Sequence, residues 1–471
     1  ILKNFIENFS NNKNLDSLVL DLSGMYKIPP KVFEQDLKLK IFSHYKPATG
    51  KFETIFTLKQ IFVSLFKYIF LYIWIIIFSK KNPKSIKKKF DIIFDDIDHP
   101  YMFWRYKSFA EKFNSHIFIT NFKAKDEKYF FWNKYKNMDL KLCFNDFKDV
   151  INLIFKSFKN SLIDRINYVE LIFFLNAKII KYQNIFYTIN SDFLIQDRIF
   201  TSSSIKNYIF KKNNGKKTIL FERNIAQLMG PAMYSFADYF FSNGKKTHLQ
   251  YLACESKFDK IFPVGSFFLN SIKINKKNKT RVPKFDLLYI ASSLPEFIKI
   301  QKNFLNDWKE HLDWLVRFSN KHTDIKVGIK GREGDLLRQN KVFMNLIKNS
   351  KISFTDKFDD KKNDKLFKFN SLHSYDFAFE SKVICTMHST IGFEMIGHGK
   401  PCIFLDPGGR NTAFLPNEKF FNDVKVKSYE EFEKKFFDII NNKSNLNSIN
   451  PEDYCINSNK THEKIYNILY E

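Results

Sequence analysis

The chain of 471 residues contains few cysteines, glycines and prolines. Its five cysteines are scattered and odd in number, with no CxxC pair. This argues against a disulfide framework or zinc ribbon and favours a reducing cytoplasm. With 14 glycines and 13 prolines, the chain is not a collagen-like or glycine-rich fibre. Disorder is not its main state, because 44% hydrophobic and 17% aromatic residues can offset the entropy of folding. The length predicts two or three domains.

Arginine is also scarce, although the chain is strongly basic. Nine arginines stand beside 67 lysines, and the formal net charge is +26 at pH 7. Nucleic-acid grooves depend on arginine for bidentate contacts, and no RNP, helix-turn-helix or zinc-finger pattern is visible. We therefore expect no nucleic-acid partner. An anionic membrane surface or a phosphorylated ligand fits the charge better.

Residues 61–89 are distinguished by their hydropathy. The sequence IFVSLFKYIFLYIWIIIF ends at Phe78, and six lysines follow between Lys80 and Lys89. A spanning helix needs about 20 apolar residues, whereas this run is slightly shorter and contains Lys67. We therefore expect an interfacial helix or hairpin, peripherally bound to the inner face of the cytoplasmic membrane, with its lysines on anionic headgroups. A wholly buried core helix with a solvated lysine loop, and a spanning helix, are the alternatives.

The rest of the chain alternates short apolar runs with helical patterns, which predicts two Rossmann-like, doubly wound parallel domains facing a cleft. The expected limits are residues 1–270 for an N-terminal domain, 271–284 for a polar, basic linker, and 285–471 for a C-terminal domain. Residues 145–190 are expected to be mainly helical. Strands are expected at residues 90–94, 116–120, 216–221, 239–242, 260–264, 285–291, 325–329, 351–354, 382–387 and 401–405.

Candidate ligand-binding residues follow three strands of the second domain, where parallel sheets bind their ligands. One strand ends in Ala-Ser-Ser at residues 291–293. Another ends in Lys330-Gly331-Arg332, two cations that could bind a diphosphate. The third ends in His388-Ser389-Thr390 and opens a helix. Hydroxyls and free N–H groups at a helix start suit a phosphate.

The helix that follows His388 contains two further candidate residues. Gly392 would allow a ligand to approach the backbone. Glu394, one turn after Thr390, could accept hydrogen bonds from ribose hydroxyls. The alternative interpretation is ordinary helix capping by Ser389 or Thr390, with Glu394 interacting only with the helix dipole.

The longer string HSTIGFEMIGHGKPCIFLD, from His388 to Asp406, resembles the donor-binding half of GT-B glycosyltransferases. It is most similar to bacterial capsule and lipopolysaccharide glycosyltransferases, their glycerophosphotransferase relatives and the sugar-nucleotide 2-epimerases. In those families the Ser/Thr turn holds the nucleotide diphosphate and the glutamate binds the ribose. The resemblance therefore implies these roles for Ser389, Thr390 and Glu394.

The resemblance extends over roughly residues 215–415. IKVGIKGR, ending at Arg332, resembles a strand that ends in a phosphate-contacting turn. Residues 226–252 and 258–266 resemble the segment that these families place at the cleft, with glycines at Gly230 and Gly244. The sequence departs from the family at Leu228-Met229-Gly230, where many relatives have His-Gly. The first 200 or so residues resemble no family we can name, as expected of an acceptor domain that varies with its substrate.

Inverting transfer needs a group that deprotonates the acceptor hydroxyl. Asp95, Asp96, Asp98 and His99 cluster after a predicted strand, and a solvated acidic loop is the alternative reading. Glu222, beside Arg223, is the second choice and His248 the third. We identify no DxD motif in a strand–turn context suited to Mg²⁺. No metal or other cofactor is therefore expected, with Lys330, Arg332 and a helix N-terminus stabilising the departing diphosphate.

The sequence therefore predicts an enzyme, a GT-B glycosyltransferase of surface-polysaccharide assembly. Its expected partners are a nucleotide sugar as donor and a lipid-linked or polysaccharide acceptor. A sugar-nucleotide 2-epimerase is the alternative enzyme. A non-catalytic, membrane-tethered carbohydrate-binding scaffold is the alternative from a different class.

Overall fold

The structure is a computed structural model. It describes residues 58–78, 88–97, 100–120, 130–133, 139–144, 147–164, 168–196, 204–223, 235–253, 256–271, 283–291, 302–331, 341–355, 372–387, 389–409, 418–441 and 449–471.

The first domain is built on a seven-stranded parallel sheet of order β3-β2-β1-β4-β5-β6-β7. Its elements, in chain order, are α1 (Leu58–Phe78), β1 (Lys88–Ile97), α2 (Pro100–Ala110), β2 (His116–Thr120), β3 (Phe130–Asn133), α3 (Leu140–Phe144), α4 (Phe147–Asp164), α5 (Tyr168–Thr188), β4 (Ile189–Gln196), α6 (Ser204–Lys212), β5 (Lys217–Phe221), β6 (Phe236–Ser242), α7 (Leu249–Ala253), β7 (Lys257–Pro263) and α8 (Phe267–Ser271).

The second domain is built on a six-stranded parallel sheet of order β10-β9-β8-β11-β12-β13. Its elements are β8 (Phe285–Ile290), α9 (Lys302–Lys321), β9 (Val327–Lys330), α10 (Lys341–Ile347), β10 (Ser353–Phe354), α11 (Leu372–Phe379), β11 (Ser381–Thr386), α12 (Thr390–Gly397), β12 (Cys402–Leu405), a 3₁₀ turn (Pro407–Gly409), α13 (Lys419–Asn422), β13 (Lys425–Val426), α14 (Tyr429–Ile440), α15 (Pro451–Tyr454) and α16 (Thr461–Tyr470).

Both sheets are doubly wound, so the predicted pair of Rossmann-like domains is confirmed. In each sheet the strand order reverses beside the first strand, between β1 and β4 in one domain and between β8 and β11 in the other. Ligands of such sheets bind outside the carboxyl ends of the strands at these switch points. A ligand is therefore expected at the carboxyl ends of β1 and β4 or of β8 and β11.

Alternate strand residues point to opposite faces of a sheet, and here both faces are covered by helices. On β1, Ile93 packs into a cluster that includes residues of α1, α5 and α6. Its neighbours Ile92 and Phe94 pack with α2 and α16. The second sheet is covered in the same way, with α9, α10 and α14 on one face and α11 and α12 on the other. This explains why its strands are continuous apolar runs rather than alternating ones.

The chain returns to the first domain at its end. Ile465 and Leu469 of α16 are buried in the cluster that contains Phe103 of α2, and Nε2 of His462 lies 3.1 Å from the Phe267 carbonyl oxygen. The predicted second domain, residues 285–471, therefore ends in a helix that packs against the first sheet.

The apolar segment after residue 57 forms the single helix α1, which is buried along one side. Ile61 and Ile75 are fully buried, and the Tyr68 ring packs edge-on against Phe173 of α5 with 5.0 Å between centroids. The opposite side is exposed, so the alternative of a wholly buried core helix is wrong. Within the described residues, the structure contains no helix with both the length and the apolar character needed to cross a bilayer.

Candidate functional site

Helix α12 begins at the carboxyl end of β11, beside the switch point of the second sheet. There the Thr386 hydroxyl donates a hydrogen bond of 3.0 Å to the carbonyl of Ile290, its partner on the neighbouring strand β8. The same hydroxyl accepts a 3.3 Å bond from the Ser389 N–H. These bonds fix the turn between β11 and the first N–H groups of α12. Such groups, with the helix dipole, favour an anion.

The two hydroxyls of this turn do not cap the helix. Ser389 has the extended backbone of an N-cap residue, yet its side chain makes no capping hydrogen bond. The Thr390 hydroxyl instead donates a 3.3 Å bond to the Arg223 carbonyl, in the first domain. The interpretation of these residues as ordinary caps is therefore wrong. Both side chains are half-buried, and they place the start of α12 at the junction of the two domains.

Gly392 is required for the packing of α12 and not, as predicted, for the approach of a ligand to the backbone. A Cβ at this position would lie 2.6 Å from the Phe404 ring and 2.9 Å from the Cys402 sulfur, both on β12. The residue is a glycine because α12 packs closely against β12, and the space beside it is filled by protein rather than left for a ligand. Its presence in the motif is explained by packing.

Glu394 lies one turn into α12 and is only 1% exposed. One carboxyl oxygen accepts a hydrogen bond from the Ser266 hydroxyl of the first domain. The other accepts one of 2.7 Å from the Tyr375 hydroxyl of α11. Burial raises the pKa of Glu394 to about 7, although both hydrogen bonds and the positive charge of Arg105 favour its ionised form. Its predicted contact with a ribose stays a prediction.

Glu222 follows β5 and is buried in the same region. Its carboxyl accepts bonds of 2.6 Å from the Asn243 N–H and the Thr247 hydroxyl. Burial raises its pKa to about 7 against these two hydrogen bonds, and the neighbouring Glu394 carboxyl adds to the rise. Two carboxyl groups from different domains therefore interact in a buried environment, and both titrate close to neutral pH.

The polar residues that surround this pair were not identified from the sequence. Arg105, on α2, places its guanidinium 4.4 Å from the centre of the Phe268 ring and acts on both Glu394 and Tyr375 electrostatically. Ser266 is separated from Glu394 by 128 positions, so no local pattern connects them. The signal that could have selected Arg105 is the rarity of arginine in a chain whose cations are mostly lysine.

A short segment that we call the crossover strap, residues 452–456, passes beside this cluster on its way back to the first domain. The N–H groups of Lys245 and Ile456 bond it to the β6 side, at 2.8 Å each, through the Glu452 and Asn243 carbonyls. A Cβ at Gly244 would lie 2.4 Å from the Asp453 carbonyl oxygen, and one at Gly397 would lie 2.2 Å from that of Cys455. Glycine is therefore required on both sides of the strap.

Lys330 ends β9 and is 4% exposed. Its ammonium group donates a 2.7 Å hydrogen bond to the carbonyl of the adjacent Gly331. The side chain therefore folds back over the end of its own strand. The other two basic candidates of this edge, Arg332 and His388, lie outside the described residues, and their predicted diphosphate contacts stay predictions.

Asp95 and Asp96 are neither exposed to a cleft nor part of a solvated loop, so both readings of these two residues are wrong. They lie in β1, and their carboxylates accept bonds of 3.0 and 2.8 Å from the buried ammonium of Lys206. Adjacent strand residues normally point to opposite faces. The φ of Asp96 is 62°, a left-handed turn that brings both carboxylates to one cation. Asp98 and His99 lie outside the described residues.

His248, the third candidate base, is half-buried, and burial lowers its pKa. No group of three or more histidine, cysteine, aspartate or glutamate side chains that could hold a metal ion occurs within the parts of the chain that the structure describes. The metal-independent mechanism stays a prediction.

No protein-family model and no curated protein matches this sequence. Solved structures are similar in overall arrangement at low identity. A putative UDP-N-acetylglucosamine 2-epimerase from Listeria monocytogenes is 11% identical, with a TM-score of 0.45 over 80% of this chain and 95% of that one. The UDP-GlcNAc 2-epimerase from Neisseria meningitidis, bound to UDP-GlcNAc, is 10% identical with a TM-score of 0.45, over 82% and 100% of the two chains. The wall teichoic acid polymerase TagF is 10% identical with a TM-score of 0.45, over 88% and 97%.

Proposed function

We propose that the chain is a GT-B glycosyltransferase that moves a sugar from a nucleotide-activated donor to a lipid-linked or growing surface polysaccharide. The observation that carries the proposal is the start of α12. It lies beside the switch point of the second sheet, the Ser389 hydroxyl does not cap the helix, and Thr390 reaches the first domain. A ligand bound there would lie at the junction of the two domains.

The donor diphosphate would bind at this helix start. The first N–H groups of α12 and the positive end of its dipole favour an anion, and the Ser389 hydroxyl adds a donor. The Thr390 hydroxyl would add a second after releasing the Arg223 carbonyl, to which it donates in the structure. Lys330 would supply a cation after leaving the Gly331 carbonyl, and Arg332 and His388 are proposed to join it. Together these groups would stabilise the diphosphate as it departs, with no metal ion in the step.

The ribose of the donor would bind Glu394. In the structure this carboxyl accepts one hydroxyl bond on each of its oxygens, from Ser266 and Tyr375. Two adjacent hydroxyls of a ribose make the same pair of bonds. We expect the sugar hydroxyls to replace those of Ser266 and Tyr375, which would loosen one contact between the domains when the donor binds.

The acceptor hydroxyl must lose a proton during transfer. Asp98, His99 and Glu222 remain the candidates. A base works best when its pKa lies near the working pH, and burial brings the pKa of Glu222 to about 7. Glu222 follows β5 of the first domain, the domain to which the acceptor is assigned.

The test compares two serines that begin helices of the second domain. Ser389→Ala removes a hydroxyl that makes no cap, whereas Ser428→Ala removes one that accepts a 3.2 Å bond from the Glu431 N–H. We expect Ser389→Ala to weaken UDP- or CDP-sugar binding by about 1.5 kcal/mol, measured by calorimetry, with unchanged stability. Ser428→Ala should cost about 1 kcal/mol of stability with unchanged affinity. Equal affinity in wild type and Ser389→Ala would contradict the donor site.

A sugar-nucleotide 2-epimerase is the second candidate, favoured by the interaction between the Glu222 and Glu394 carboxyls at the domain junction. Epimerisation needs acids or bases beside the donor sugar and no acceptor. Incubation with nucleotide sugars separates the two activities. Epimer formation without acceptor supports the epimerase, acceptor-dependent nucleotide release supports the transferase, and absence of any nucleotide binding supports a non-catalytic scaffold.

A further inference from the structure

Helix α1 presents a continuous apolar stripe on the surface of the first domain. Eight large apolar side chains are between 47% and 70% exposed, and they recur at intervals of one, three and four residues, which places them on one side of the helix. We call these residues the α1 stripe: Phe62, Val63, Phe66, Ile69, Phe70, Ile73, Ile76 and Ile77.

The opposite side of α1 is held firmly by α5. Asn176 donates a 3.1 Å bond to the Tyr72 hydroxyl, and Ser64 bonds to Glu170 at 2.5 Å. Lys67, on the border of the stripe, pairs with the same Glu170. These contacts fix the rotation of α1 about its axis, so the stripe faces away from α5.

The stripe is too large to be incidental. From Phe62 to Ile77 it extends about 23 Å along the helix axis, at about 1.5 Å per residue. Soluble monomers rarely leave a contiguous apolar patch of more than a few hundred Å² exposed, and larger patches mark interaction surfaces. Eight half-exposed Phe, Ile and Val side chains reach that size.

The charges around the stripe indicate what covers it. Helix α1 contains no acidic residue, and the chain continues with six lysines between Lys80 and Lys89. Of these, Lys89 lies at the start of β1, where its side chain is 68% exposed and pairs with Asp192 at 3.5 Å. An apolar helix face that is followed in sequence by a lysine cluster matches an anionic bilayer, because the acyl boundary accommodates the apolar side chains and the headgroups attract the cations.

We propose that α1 lies flat on an anionic membrane surface, with the α1 stripe inserted to the acyl boundary and the lysines on the headgroups. One side of α1 packs against α5 and the opposite side contacts the bilayer, so the helix lies on the membrane and does not cross it. This inference is independent of the proposed function, since it uses no residue of the donor site.

Flotation of the full chain with lipid vesicles tests the proposal. Phe66→Ser/Phe70→Ser alters two stripe residues that are 58% and 70% exposed, and Leu252→Ser/Val342→Ser is the matched control, at 41% and 46% on α7 and α10. We expect the wild type and control to float with phosphatidylglycerol-containing vesicles. The stripe variant should partition at least about tenfold more weakly, because two aromatic side chains no longer enter the lipid. Neutral phosphatidylcholine vesicles should bind the wild type more weakly.

An added tryptophan provides the second measurement. Phe70→Trp places an indole at the most exposed position of the stripe, beside the five tryptophans that the chain already contains. The fluorescence gained over the wild type should shift to the blue and be quenched by brominated lipid. No shift, or equal flotation of wild type and stripe variant, would overturn the proposal. So would a wild type that stays in solution, whether as a monomer or as a dimer that the stripe variant dissociates. Equal binding to neutral and anionic vesicles would overturn the role of the lysines.

Discussion

Two pairs of buried carboxyl groups differ in the partners that compensate for their lost hydration. Asp95 and Asp96 share the buried Lys206 ammonium. Burial alone would lower the pKa of Lys206. The two carboxylates raise it by more than burial lowers it, so the pKa lies above its usual range. Glu222 and Glu394 are as deeply buried but bond mainly to hydroxyl and N–H groups, and burial raises the pKa of each to about 7.

The comparison shows that a buried carboxyl becomes structural or titratable according to its partner. Asp95 and Asp96 each lie within 3.0 Å of a full opposite charge, which offsets the loss of hydration. Neutral donors offset only part of that loss, so the glutamates exchange protons near pH 7. The two glutamates are therefore suited to proton transfer at neutral pH.

Lys206→Met tests the first pair and should have the largest effect of any single substitution. It leaves two carboxylates buried without their cation, and we expect a loss of about 3–5 kcal/mol of unfolding free energy, measured by urea denaturation. The control is Lys216→Met. That lysine pairs with Asp192 at 2.9 Å with its side chain 66% exposed, and the change should cost less than about 1 kcal/mol. Similar losses in the two variants would show that the triad is not a charged cluster.

The second pair predicts a pH dependence of stability. The pKa of each glutamate is raised from 4.5 to about 7 on folding, so the folded state binds more protons between these values and stability falls as pH rises through that window. The loss is up to about 3 kcal/mol per carboxyl. Glu222→Gln/Glu394→Gln should remove it, so the stability of wild type relative to this variant should decline from pH 4.5 to 7 and then level off. Parallel curves would mean that folding leaves the pKa of both carboxyls unchanged.

The strands and helices of the first domain differ in how well the sequence predicts them, and the difference has a physical reason. Strand β2 (His116–Thr120) was predicted to the residue because its three central residues are apolar and the whole strand is buried. The central strand β4 (Ile189–Gln196) was missed, since Asn190, Ser191 and Asp192 interrupt its apolar run. Helix α6, which supplies Lys206, was also missed.

Apart from Glu222, which was named from its place after a predicted strand, the cluster at the domain junction was predicted only where its residues are close in sequence. Ser389, Thr390 and Glu394 form one local motif, and the structure places them together at the start of α12. Arg105, Ser266 and Tyr375 reach the same place from three other elements. Their convergence depends on how two domains pack, which no local pattern encodes. Gly392 was correctly singled out, but for the wrong reason.

Tyr375→Phe sharpens the comparison by removing one neutral donor from Glu394. The carboxylate then loses a 2.7 Å bond, so its pKa should rise further. At pH 8, where Glu394 is ionised, we expect a loss of about 1–2 kcal/mol of stability, and a smaller loss at pH 5. A pH-independent effect would show that the hydroxyl contributes packing only. Thermal unfolding at the two pH values measures the difference.

Arg105→Gln should have the smallest effect. The arginine lowers the pKa of Glu394 through space and makes a cation–π contact with Phe268. We expect a change of less than about 1 kcal/mol in stability, with the midpoint of the pH-dependent loss displaced upward by a fraction of a unit. An unchanged or lower midpoint in the same pH series would mean that the arginine does not act on Glu394.

The crossover strap and the return of α16 have a consequence for how the protein can come apart. The polypeptide passes between the domains twice, once after α8 and once through the strap between Gly244 and Gly397. A single cut between α8 and β8 would not release two domains, because Ile465 and Leu469 would remain buried in the first one. Expressing the first domain without residues 461–470 would therefore leave the apolar surface that Ile465 and Leu469 cover exposed to solvent.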